Sequence, residues 1–81
     1  MNRKEIIDGV QLLFDDIFLD PPTITDELSA DMVDEWDSLL QISLIIGVEA
    51  RFNIKFMTAE VEETANVGEF VDLILSKCIE V

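Results

Sequence analysis

Histidine and tyrosine are absent from this chain, and cysteine occurs once, at Cys78. The side chains that most often act as general bases or activated nucleophiles near neutral pH are therefore nearly all missing. Asp37 and Ser38 stand next to each other, but no base is placed to take the serine proton, so the pair is not a hydrolase arrangement. Carboxylates are abundant, and in so acidic a chain that abundance describes solvated surface rather than a catalytic pair. The composition argues against independent catalysis. A single cysteine cannot close an internal disulfide, and Cys78 lies at helical spacing from apolar neighbours, which fits a reducing cytoplasm.

Basic residues are also scarce, 5 against 18 acidic ones, for a formal charge of −13. Such a field repels a nucleic-acid backbone over most of the surface and makes nucleic acid an unsuitable partner. It attracts basic protein faces and speeds encounter with them. Long hydrophobic runs are missing as well. Asp8, Gln11, Asp15 and Asp16 interrupt the apolar residues that follow Arg3 and Lys4, so neither a secretory signal nor a membrane span is expected. Acidic stretches without glycine at the sixth position of a candidate loop speak against an EF-hand.

What is present is one small domain's worth of core. Hydrophobic residues form 49% of 81, enough for a single compact unit over residues 1–81, expected to be a monomer. From Arg3 to Phe18, the residues Ile6, Val10, Leu13, Phe14 and Ile17 recur at helical intervals and predict an amphipathic first helix, stopped by Pro21 and Pro22. The connection from Leu19 to Glu35 is long for a compact domain, so it should be pinned by its own apolar residues, Ile24, Leu28, Met32 and Val33, or carry function. A second helix is predicted from Asp37 or Ser38 to Phe52, with Asn53 as a left-handed residue at its end.

That second helix has an inward face of Leu44, Ile45, Val48 and Phe52. Leu39, Leu40, Ile42 and Ile46 are apolar too, more than one buried stripe requires, so part of the helix should meet partners. Thr58 to Ala65 has room for one or two helical turns. A last helix follows, with Asn66 and Glu69 at capping-box spacing before Val67, Phe70, Val71, Ile74 and Cys78. The expected fold is all-α: a four-helix bundle of three main helices and a short third one, with a long loop between helices 1 and 2.

The segment Trp36-Asp37-Ser38-Leu39 stands where the long loop enters the second helix, and Val67-Gly68-Glu69-Phe70 opens the last one. Alone, Asp-Ser-Leu is a weak signal, and a serine in that place is ordinarily a helix cap. In this order along nearly the whole chain, the elements and motifs resemble the acyl carrier protein family. The resemblance implies that Ser38 carries 4′-phosphopantetheine through a phosphodiester, and that the thiol of this arm holds an acyl group as a thioester. It implies that Asp37 helps a phosphopantetheinyl transferase and its magnesium engage the serine, and that Leu39 belongs to the surface the transferase reads. A helix N-terminus suits the phosphodiester physically, because it presents unpaired backbone donors and a positive dipole end.

Trp36 is read as a loop anchor. Many fatty-acid carriers have acidic residues along the second helix, where this chain has Leu40 and Ser43 and retains Glu49. Docking of acyl-loading and acyl-using enzymes is therefore expected on Leu39, Leu40, Ser43, Ile46 and Glu49, with a larger apolar share. The tryptophan before Asp37 resembles stand-alone carriers of specialised pathways. A peptidyl carrier usually has Gly-Gly just before the serine, where Glu35 and Trp36 stand here. Two alternatives stay open: such a peptidyl or aminoacyl carrier, and an acidic helical binding module without an arm. The surplus of Ile, Leu and Val on the second helix further suggests an interior that shelters an acyl chain.

Overall fold

A computed structural model describes residues 2–79. Four α-helices run in the order α1 (Arg3–Ile17), α2 (Ser38–Phe52), α3 (Thr58–Glu62) and α4 (Val67–Ile79), with a short 3-10 turn, Ala30–Met32, inside the long loop. The described residues contain no strand, and no helix among them is long and apolar enough to cross a membrane. The all-α bundle with a short third helix is the architecture expected from the sequence and the family resemblance together.

Helix α1 begins in a full capping box that the apolar pattern alone does not announce. Asn2 Oδ1 accepts the Glu5 amide at 2.9 Å, and the Glu5 carboxylate accepts the Asn2 amide at 3.0 Å. Ile6, Val10 and Phe14, one turn apart, are essentially fully buried. They meet Leu44 and Val48 of α2 and Val71 and Ile74 of α4 in one core. Phe14 stacks on Phe18 with centroids 4.9 Å apart, and Trp36 packs edge-on against both rings at 5.2 and 6.0 Å. The single tryptophan thus anchors the end of the long loop to α1, the role read from the sequence.

The loop is held by fewer apolar pins than expected and by more polar ones. Ile24 and Leu28 are buried and Val33 packs against the core. Met32 corrects the expectation: it is 66% exposed, because the turn Ala30–Met32 separates neighbouring side chains and gives Val33 the inner place. Backbone groups in an irregular segment need partners, and two side chains supply them. Gln11 on α1 accepts from the Ile24 amide at 2.9 Å and donates to the Pro22 carbonyl at 2.9 Å. Glu35 accepts from the Leu19 and Asp20 amides at 2.6 and 3.1 Å, tying the two ends of the loop together.

The loop also docks on the start of α4. The Val67 and Gly68 amides donate to the Leu28 and Asp26 carbonyls at 2.8 and 3.0 Å. The approach is so close that a Cβ at Gly68 would lie 2.9 Å from the Asp26 Cβ and 3.0 Å from its carbonyl oxygen. Arg3 crosses the seam from α1, pairing with Asp26 and Asp72 at 2.9 Å each. The hydrogen bond that Arg3 donates to Asp72, then the one it donates to Asp26, raises the pKa of the guanidinium. The cap of α4 differs slightly from the expected box: Asn66 accepts from the Glu69 amide at 2.9 Å, but the Glu69 carboxylate returns to the Ala65 amide, one residue further back.

Candidate functional site

Helix α2 starts as its sequence predicts. Asp37 is the N-cap, with extended backbone, and its Oδ1 accepts the Leu40 amide at 3.0 Å, while its carbonyl accepts the Gln41 amide at 2.9 Å. Ser38 is the first helical residue. It is exposed, and its hydroxyl takes part in none of the side-chain hydrogen bonds found among the described residues. The aspartate therefore takes the capping role, and the serine oxygen stays available. The first four amides of a helix have no intrahelical acceptor; Asp37 Oδ1 takes the one of Leu40, and the Ser38 hydroxyl stands beside the others, which favour an anion.

At its other end α2 closes on Asn53, whose φ of 56° and ψ of 50° place it in the left-handed region expected from the sequence. The Glu49 carboxylate accepts the Phe56 amide at 2.9 Å, fixing the connector into α3. Lys77 on α4 pairs with Glu60 on α3 at 2.7 Å and lies 5.8 Å from the Phe56 ring centroid. This connector and short helix leave a cleft of about 610 Å³ between α2, α3 and the long loop, with Phe70 of α4 in its wall. Ser38, Gln41, Ile42, Ile45 and Ile46 line it from α2, Phe56, Met57 and Val61 from the α3 side. The volume falls in the range of small-molecule sites, roughly 300–1,000 Å³, which are likewise mostly apolar with few polar groups.

The docking residues read from the sequence divide into two sets. Leu39 and Ile46 are 71% and 61% exposed. Leu40 is half-buried against the core, Ser43 is half-buried, and Glu49 is engaged with the Phe56 amide. Ile42 and Met57, absent from that set, are 55% and 68% exposed. Leu39, Ile42 and Ile46 follow each other at three- and four-residue steps, so they share one face of α2; that spacing was the signal available in the sequence. Met57 extends the apolar strip from the N-cap of α3. Among the described residues no group of three or more His, Cys, Asp or Glu is placed to hold a metal ion.

No family model matches the chain, and no curated protein does. Among solved structures, it is similar to the solution NMR structure of holo acyl carrier protein from Geobacter metallireducens. The two share 33% sequence identity, with a TM-score of 0.78, over 96% of this chain and 86% of that one. An accessible serine at the head of α2, an apolar cleft beside it and one third identity over nearly the whole length lead to one assignment: the chain belongs to the acyl carrier protein family.

Proposed function

We propose that Ser38 is the attachment point of 4′-phosphopantetheine, transferred from coenzyme A by a phosphopantetheinyl transferase, and that the protein presents acyl groups to biosynthetic enzymes. The observation that carries this reading is the division of labour at the start of α2: Asp37 caps the helix, and Ser38 is left exposed at the cleft. The residues present fit the group. The serine oxygen is accessible for a phosphodiester, the first amides of the helix favour its negative charge, and the cleft offers carbon-rich walls for an acyl chain. When bound, the arm supplies a thiol that holds cargo as a thioester. The chain's own residues supply placement.

Asp37 has one carboxylate oxygen committed to the Leu40 amide. The other is free to meet the transferase's magnesium, so capping and recognition coexist in one side chain. Leu39, the residue after Ser38, is read by the transferase and by later partners. Leu39, Ile42, Ile46 and Met57 form the apolar part of the docking face, and the net charge of −13 steers basic rims toward it. Leu40, Ser43 and Glu49 support that face from half-buried positions.

Intact-mass measurement after incubation with coenzyme A, magnesium and a broad-specificity transferase tests the proposal. The expected result is one phosphopantetheine per wild-type chain and none on Ser38→Ala. An unmodified wild type, the behaviour of a binding module without an arm, would refute it. The docking face is tested separately by Ile46→Asp, which should slow partner reactions while leaving transfer to Ser38 measurable.

A further inference from the structure

The cleft beside Ser38 contains a side chain whose polarity the core does not need. Gln41 lies one turn beyond Ser38, at the three-residue step that places both on one side of α2, and both line the cleft. The Trp36 indole Nε1–H donates to Gln41 Oε1 at 2.8 Å. An indole nitrogen can only donate, so the facing atom of the glutamine must be its oxygen. The amide is thereby oriented, and its NH2 group is the end left over.

That NH2 group has no partner among the hydrogen bonds of the described residues, and no buried polar side-chain atom there lacks a partner. Nε2 is therefore in contact with solvent while the residue as a whole is half-buried. An amide whose orientation is set by a ring that itself packs on Phe14 and Phe18 loses little freedom on donating a further hydrogen bond, which is the condition for a useful polar contact in an apolar site. We infer that Gln41 is a positioning residue: its Nε2 donates to a carbonyl oxygen of the group carried on Ser38 and seats that group along the cleft. The inference rests on the attachment proposed above. The ligand chemistry is a carbonyl acceptor, supplied either by an amide of the pantetheine arm or by the thioester.

The test follows the Gln41 side-chain amide by ¹⁵N NMR in the unmodified, arm-bearing and octanoyl-bearing protein, with intact mass confirming each state. A shift of the Nε2 signals on attachment of the arm assigns the contact to the arm; a shift only on octanoylation assigns it to the thioester; either result supports the inference. Gln41→Glu keeps an oxygen for the Trp36 indole and removes the donor. In that variant, cross-relaxation between the carried group and Ile45 or Val61 should weaken, with the seated-to-free ratio falling about fivefold, the factor that one net hydrogen bond of about 1 kcal/mol represents. A protein that takes no arm removes both readings. An arm-bearing protein whose Gln41 signals never move, or a Gln41→Glu variant that seats the group as well as wild type, removes this one alone.

Discussion

The side of the bundle built by α1, α4 and the long loop differs from the side built by α2 and α3 in what completes it. On the first, Arg3, Gln11 and Glu35 each bridge two segments, and the loop backbone pairs directly with the start of α4. On the second, Leu39, Ile42, Ile46 and Met57 are exposed beside an open apolar cleft. A loop of this length costs conformational entropy to order, and the clamps on the first side offset that cost near the residues that precede Ser38. The clamped side fixes the position of the serine, and under the proposed function the open side receives the group attached to it and the proteins that dock there.

The largest expected effect separates the two sides by stability. Phe14→Ala should cost about 3–5 kcal/mol, because it empties the ring cluster under Phe18 and Trp36. Ile46→Ala, with most of its side chain already in water, should stay within about 0.5 kcal/mol. Chemical denaturation measures both, and similar costs would erase the distinction. Next in size is Glu35→Ala, which frees two amides and should destabilise by about 1–2 kcal/mol. Hydrogen exchange should then accelerate at Leu19 and Asp20; unchanged protection there would mean that the carboxylate is not the clamp.

A smaller effect divides adjacent residues. Asp37→Ala should lose about 1 kcal/mol of stability, the usual worth of an N-cap, whereas Ser38→Ala should change stability by less than about 0.5 kcal/mol. The reverse order would return the capping role to the serine. The smallest effect belongs to the surface charge: with 18 acidic residues against 5 basic ones, added salt should raise the melting temperature through screening. Arg3 stays charged through that titration, although salt also screens its exposed pairs with Asp26 and Asp72. Its raised pKa means that its contribution is fully present below the unfolded value and is lost only as pH climbs through the folded one, far above neutrality.

The three long helices were legible because each carries a local signal: four-residue spacing in Ile6, Val10 and Phe14 with prolines after α1, Asn53 after α2, and Asn66 with Glu69 at the start of α4. Asp37 and Ser38 at a helix start were equally legible. Their division into cap and free hydroxyl was not, since either side chain can cap and only the geometry decides. Glu35 and Gln11 escaped for another reason: their partners are backbone groups 16 and 15 residues away for Glu35, and 13 and 11 away for Gln11. Such pairings leave no periodic trace. Met32 misled because apolar character alone does not say which side of a tight turn a residue takes.

Amide chemical-shift mapping of the wild-type protein before and after modification of Ser38, and again after octanoylation, tests the contrast between the two sides most directly. Perturbations concentrated at Ile45, Phe56 and Val61, with Arg3, Val10 and Glu35 unmoved, are the predicted result. Shifts spread equally over α1 and α4, or none around the cleft, would contradict it.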